Sequence, residues 1–101
     1  HYLCDTHTAV AFKVAKDYKA RTGSKAPMVV LSTASPFKFP CDVLQALGCE
    51  VPDNDFAAME KLQAETGMPA PVSLASLKGK AERFNIVIDP AEIADVALGS
   101  K

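Results

Sequence analysis

The sequence lacks the features that define several large classes of protein. Its three cysteines, Cys4, Cys41 and Cys49, form no Cys-x-x-Cys pair, which argues against a disulfide framework and favours reduced thiols in a cytoplasmic protein. No apolar run approaches the length that crosses a bilayer, and the first residues do not resemble a signal peptide. The net charge of −1 gives no electrostatic reason to expect nucleic acid or an anionic membrane as partner.

What is present fits one small soluble unit. A chain of 101 residues with 49% hydrophobic and 23% charged residues is ordinary for a globular domain. The chain begins with His-Tyr-Leu-Cys instead of Met and enters a strong helix signal almost at once. We therefore expect a boundary imposed by cloning, proteolysis or natural processing.

Capping residues and apolar periodicity predict four or five helices. Asp5 is a candidate N-cap for the first helix and Gly23 its C-terminal stop, while Asp53 is the candidate cap of the third. Asp89 and Glu92 form a capping-box pattern before the last helix. The predicted helices cover about 6–22, 40–47, 54–66, 73–78 and 90–98.

Two short apolar runs favour strands. Met28–Leu31 is unbroken, which is typical of a strand covered on both faces of a parallel sheet. Phe84–Ile88 is either a second strand or an extended packing segment. Because buried backbone groups are almost always paired, the first run needs a partner. Either Phe84–Ile88 supplies it or, as we favour, the missing strands belong to a larger protein.

The segment after the first run carries the strongest signal for a ligand. It contains a cluster of hydroxyl side chains, and the carboxyl ends of strands in open α/β sheets are common binding sites. One interpretation is a ligand rim to which Thr33 contributes its hydroxyl. The other is a simple turn, in which Ser and Thr cap, Pro36 bends the chain, and Phe37 and Phe39 pack.

Two motifs resemble the threonine synthase family. Residues 30–39 are similar to the family's apolar strand followed by Thr-Ala-x-Pro-x-Lys-Phe, and residues 5–11, Asp-Thr-His-Thr-Ala-Val-Ala, resemble its His-Thr-Ala-Val-Ala motif. They stand in the family's order and cover roughly the first half of the chain. The second half, from Cys49 on, resembles the variable C-terminal extension only loosely.

The resemblance implies a fold and a reaction. The expected fold is α/β: a fragment of a three-layer open-sheet pyridoxal-phosphate domain of fold type II, mostly helical with one or two buried strands. Residues 1–101 would be the C-terminal portion of that large domain plus an extension from about residue 49, as a single structural unit. The parent enzyme would convert O-phospho-L-homoserine and water to L-threonine and phosphate in threonine biosynthesis.

The resemblance also implies roles for individual residues. Thr33 matches the hydroxyl that faces the pyridine nitrogen of the cofactor, with Ser32 and Ala34 beside it. Four further residues are candidate active-site neighbours, each with an ordinary structural alternative such as capping, packing or solvation: Asp5, His7, Thr8 and Lys38. Lys38 would contact phosphate or another domain. Asp5 and His7 lack a third ligand, so we expect no metal site.

Other required parts are not found in the sequence. The five glycines are scattered and form no phosphate cradle, and no segment resembles the Schiff-base lysine or the asparagine loop of this fold. We therefore expect no catalytic residue in this fragment, no bound pyridoxal phosphate and no activity of the chain alone.

The expected partners are the remainder of the threonine synthase chain and, in the parent, O-phosphohomoserine. Surface that faces the remainder would promote self-association of the isolated chain. The alternatives are another fold-type II enzyme, such as a threonine dehydratase or a sulfhydrylase, and a freestanding non-catalytic α/β interaction module. The Thr-Ala-x-Pro-x-Lys-Phe segment disfavours the two enzymes, which generally carry a glycine-rich version of that turn.

Overall fold

The first helix has the ends that the sequence predicts. The computed structural model describes residues 2–99, and helix α1 spans Thr6–Thr22. The Asp5 side chain accepts hydrogen bonds from the free N–H groups of the first turn. At the other end Gly23 adopts the left-handed conformation (φ 68°), and its N–H donates to the carbonyl of Lys19. Both predicted ends of this helix are confirmed.

The remaining elements are shorter. A 3₁₀ turn at Pro36–Lys38 precedes α2 (Pro40–Ala46); α3 (Asp55–Thr66), α4 (Val72–Ala75), a 3₁₀ turn at Pro90–Glu92 and α5 (Ile93–Ala97) follow. No helix within residues 2–99 combines the length and the apolar character needed to cross a membrane.

Several ends of these helices differ from the prediction; α4, for example, ends at Ala75 and not near Lys78. Two further differences concern the third and the last helix. The N-cap of α3 is Asn54, whose side chain accepts from the N–H of Ala57 at 2.8 Å, and not Asp53. The last helix starts as a 3₁₀ turn, although the predicted capping box between Asp89 and Glu92 is present. Both differences are shifts of one to three residues at helix ends, where short-range hydrogen bonds compete.

The predicted α/β fold class is wrong. The described residues form helices, turns and extended chain, with no strand among them. Met28–Leu31 is not a buried strand: Val29 is 88% exposed, and Leu31 is also exposed. Phe84–Ile88 is not a strand either, and Val87 is 96% exposed. A strand exists only through a ladder of hydrogen bonds to a neighbour, and no such ladder joins these two segments.

The core lies between α2 and α3, away from α1. Six residues are buried there: Phe37, Val43, Leu44, Ala58, Met59 and Leu62. Leu44 and Leu62 are completely inaccessible to water. The Cys41 Sγ also donates to the Asp55 carboxylate at 3.3 Å, which ties the start of α2 to the start of α3.

The molecule as a whole is open. Its radius of gyration is 18.5 Å, against about 13 Å expected for a compact chain of this length. The apolar face of α1 contributes to this openness, because Val10, Val14 and Tyr18 are exposed instead of buried. The amphipathic pattern of α1 therefore has no apolar partner within residues 2–99 that covers it.

This core predicts a sharp contrast between two leucines. Leu44→Ala should lower the free energy of unfolding by about 2–5 kcal/mol, because it opens a cavity in a fully buried site. Leu47→Ala, three residues later and half exposed, is the matched control and should cost far less. Urea unfolding followed by circular dichroism measures both, and equal losses would contradict this placement of the core.

Candidate functional site

The start of α1 is built around a buried carboxylate. Asp5 has no solvent-exposed area, although it is a charged residue in a small and open molecule. Its Oδ1 accepts from the backbone N–H groups of His7 at 3.0 Å and Thr8 at 3.2 Å. Its Oδ2 accepts a hydrogen bond from the Thr8 hydroxyl. Thr8 is itself only 5% exposed, so the pair is shielded from water.

The same hydroxyl connects α1 to the loop that carries Thr33. The backbone N–H of Thr33 donates to the Thr8 Oγ1 at 3.3 Å, across 25 positions of sequence. The neighbouring N–H of Ala34 is also oriented to stabilise the Asp5 carboxylate. The two motifs of the sequence thus meet through Asp5 and Thr8.

Hydrogen bonding keeps Asp5 ionised. The Thr8 hydroxyl is the largest influence on its pKa and lowers it below the ordinary value of 3.8. Burial acts in the opposite direction and is outweighed, since the N–H groups of Thr8, His7 and Ala34 also favour the charged form. Asp5 is therefore a carboxylate at neutral pH whose lone pairs are committed to protein donors.

Further contacts hold the loop on both sides of Thr33. The Tyr2 hydroxyl donates to the Ser32 Oγ at 3.1 Å, and the Ser35 Oγ accepts from the N–H of Phe37 at 3.3 Å. Phe37 is buried in the core, which fixes the far end of the loop. Thr33 lies exposed between these anchors, and its hydroxyl makes no hydrogen bond within residues 2–99.

Thr33 also stands at the edge of a shallow apolar groove of about 780 Å³ between α1 and the segment 28–31. We call this the α1 groove; it is lined by Ala11, Val14, Ala15, Tyr18, Met28, Val29, Val30, Leu31 and Thr33. Apart from Thr33 and the Tyr18 hydroxyl, its side chains are apolar. The groove thus places the Thr33 hydroxyl beside a surface that favours an apolar neighbour.

His7 and Lys38 meet on the ring of Phe39. The His7 and Phe39 ring centroids are 5.8 Å apart, and the Lys38 Nζ lies 5.7 Å from the Phe39 centroid. His7 is exposed, with its Nδ1 3.6 Å from the Asp5 Oδ1. Lys38 pairs with no carboxylate within the described chain. Sequence reasoning missed Phe39 as the centre of this group, although an aromatic residue next to the motif lysine is visible in the sequence.

Metal binding and cysteine chemistry have little support among the described residues. Within residues 2–99 no group of three or more His, Cys, Asp or Glu side chains is arranged to hold a metal ion. Burial and the nearby Asp55 carboxylate raise the pKa of the Cys41 thiol, which makes it a weaker nucleophile than an ordinary cysteine. The chemically notable feature is therefore the exposed Thr33 hydroxyl with the buried Asp5–Thr8 pair behind it.

The ionisation of Asp5 predicts a pH dependence. A carboxyl with a depressed folded pKa contributes stability that is fully present above its unfolded pKa, near 3.8, and is lost as pH falls through the folded value. Asp5→Asn should therefore lower stability at pH 6 and should matter progressively less below pH 4. Urea unfolding between pH 2 and pH 7 measures this, with Asp53→Asn at an exposed site as the control.

Direct titration of the Asp5 carboxyl by ¹³C NMR gives the complementary result. We expect a midpoint below 3.8. A midpoint above that value would contradict the proposed balance between hydrogen bonding and burial.

The sequence of this chain matches a known protein family. The family model described as "Threonine synthase, C-terminal" matches residues 8–97. The match includes Thr8, Thr33 and Lys38, whereas Asp5 and His7 lie just before it. No curated protein and no solved structure matches the chain. Since the family model covers most of the sequence, the chain belongs to the threonine synthase C-terminal family, whose parent enzymes are lyases of threonine biosynthesis.

Proposed function

We propose that this chain forms one wall of a threonine synthase active site and presents the Thr33 hydroxyl to the pyridine nitrogen of pyridoxal phosphate. The parent enzyme would convert O-phospho-L-homoserine and water to L-threonine and phosphate. The carrying observation is that Thr33 lies exposed, with its hydroxyl unpaired within residues 2–99, on a loop anchored on both sides. The motif residues around it support the same assignment.

The chemistry of the hydroxyl fits this role. Bound pyridoxal phosphate supplies an electron sink for carbanions next to an amino group. A hydroxyl hydrogen-bonds to the ring nitrogen without the negative charge that would hold it protonated. Asp5, the carboxylate that is linked to this loop through Thr8, is buried and committed to protein donors, which leaves the hydroxyl as the group facing outward. Ser32 and Ala34 would flank the ring edge through the same loop.

The rest of the cofactor site is proposed to come from outside this chain. The glycines at 23, 48, 67, 79 and 99 each occur singly with positive φ, whereas a phosphate cradle needs successive N–H groups on one anion. Lys13, Lys61 and Lys78 are each paired with a carboxylate. The Schiff-base lysine is also proposed to lie outside this chain, because no lysine here stands in a segment that resembles the family's Schiff-base motif, so the isolated chain should not turn over substrate.

Lys38 is the proposed contact for an anion. Its ammonium lies over the Phe39 ring and has no carboxylate partner within the described chain. The substrate phosphate and an acidic residue on the remainder of the enzyme both fit that charge. His7, on the other side of the same ring, would help to hold Phe39 in place.

The exposed apolar surface supports the remainder of the threonine synthase chain as partner. The α1 groove and the adjacent Val10 would be covered by that remainder, because an apolar surface of this kind rarely stays open to water. The division into a large-domain portion and an extension from about residue 49 stays a prediction. The three free thiols support a reducing, cytoplasmic compartment.

Thr33 provides the first test of the proposed function. The test uses a complete threonine synthase chain that carries this region. Thr33→Ala and Thr33→Asp should both reduce turnover by about tenfold or more, because Ala removes the proposed hydrogen bond to the pyridine nitrogen and Asp replaces it with a charged one. The absorption spectrum of the bound cofactor should change more in the Asp variant. Thr22→Ala, at the opposite end of α1, is the control. Unchanged kinetics and spectra in both Thr33 variants would show that Thr33 does not face the ring.

The exposed surface provides a second test. Sedimentation velocity of the isolated chain should show self-association that increases with concentration and that Val14→Lys and Val29→Lys suppress. Ala64→Lys, on an exposed position of α3, should leave it unchanged. A wild-type chain that is monomeric at all concentrations and unfolds cooperatively would instead support a freestanding interaction module.

A further inference from the structure

Asp5 is a buried charge for which the proposed chemistry has no direct use. A buried carboxylate is costly unless donors compensate it, and Asp5 is compensated by the N–H groups of His7 and Thr8 and by the Thr8 hydroxyl. An exposed N-cap would satisfy α1 equally well without burial. The second segment also reaches this pair, since the N–H of Thr33 donates to the Thr8 hydroxyl and the N–H of Ala34 helps to lower the pKa of Asp5.

The direction of each hydrogen bond around Thr8 is fixed by its partners. An ionised carboxylate only accepts, so the Thr8 hydroxyl must donate its proton to Asp5. The hydroxyl then has only lone pairs left, and these accept the N–H of Thr33 at 3.3 Å. Charge on Asp5 thus orients the hydroxyl, and the oriented hydroxyl holds the backbone of Thr33.

From this chain of bonds we propose that Asp5 and Thr8 are positioning residues, which act through the backbone of Thr33 to aim its hydroxyl. The inference rests on the proposed function of Thr33. Under this proposal neither Asp5 nor Thr8 touches cofactor or substrate. Their contribution is to restrict the loop to one backbone arrangement, because a functional group must be held within about 0.5 Å of its productive position.

The contacts of Ser32 and Ser35, on either side of Thr33, do not replace the hydrogen bond from Thr33 to Thr8. Ser32 is held through the exposed Tyr2, and Ser35 through the local turn that leads to Phe37. Both act on neighbouring residues, and neither contacts Thr33 itself. The Thr8 hydroxyl is the contact that reaches Thr33 itself.

The experiment uses the holoenzyme of a complete threonine synthase chain that carries this region. Thr8→Val removes the hydroxyl at constant shape, Thr8→Ser retains it, and Asp5→Asn replaces an acceptor oxygen with a donor. Two readouts are taken: amide hydrogen exchange at residues 33 and 34, and the absorption spectrum and dissociation constant of pyridoxal phosphate. Thr33→Ala and the double variant Thr8→Val/Thr33→Ala complete a cycle.

We expect Thr8→Val and Asp5→Asn to accelerate exchange at Thr33 by about tenfold, the effect of losing one hydrogen bond. They should also weaken cofactor binding and shift the spectrum in the direction of Thr33→Ala. Thr8→Ser should resemble wild type on both readouts. In the double variant, Thr8→Val should add little to the loss caused by Thr33→Ala, because both act through the same hydroxyl.

Three results would overturn the inference while the proposed function survives: unchanged exchange in Thr8→Val, faster exchange with an unchanged cofactor spectrum, or fully additive losses in the double variant. An unaltered spectrum in Thr33→Ala alone would instead reject the proposed function and, with it, the positioning role. If Thr8→Val does not fold, Thr8→Ala removes the hydroxyl without adding apolar atoms and is judged by the same criteria.

Discussion

The site depends on the hydrogen bonding of one carboxylate. Asp5 collects donors from the first turn of α1 and, through Thr8, holds the loop at Thr33. Without that carboxylate, the helix start would lose its cap and the Thr8 hydroxyl would lose its fixed orientation. Two segments that are 25 residues apart therefore share one electrostatic centre. This arrangement lets a small chain with little core hold the backbone of Thr33 in place.

The packing of the remaining chain leaves an apolar face of α1 uncovered within residues 2–99. The core between α2 and α3 is small, whereas α1 presents Val10, Val14 and Tyr18 to water. The hydrogen bond between Thr33 and Thr8 lies just before the 3₁₀ turn at Pro36–Lys38 in the sequence. Phe37, within that turn, is buried in the core. Hydrophobic burial thus fixes one end of the Thr33 loop and hydrogen bonding fixes the other. An apolar partner on the α1 groove would complete the covering that this chain lacks.

Sequence reasoning succeeded where the determinants are local. The ends of α1 follow from Asp5 and Gly23, because capping is decided within a few residues. It failed for Met28–Leu31, since a strand is defined by a partner that a single segment does not encode. The hydrogen bond between Thr33 and Thr8 also could not be predicted, although each residue lies in a motif that the sequence shows. Asn54 and not Asp53 caps α3, because adjacent capping residues compete and backbone geometry decides between them.

The most direct test of the central claim is a crystal structure of the pyridoxal-phosphate-bound enzyme that carries this region. The account predicts the Thr33 Oγ1 within about 2.7–3.1 Å of the pyridine nitrogen, with the Asp5–Thr8–Thr33 hydrogen bonds intact behind it. A pyridine nitrogen that faces another residue, or a Thr33 backbone released from Thr8 in the bound state, would contradict it.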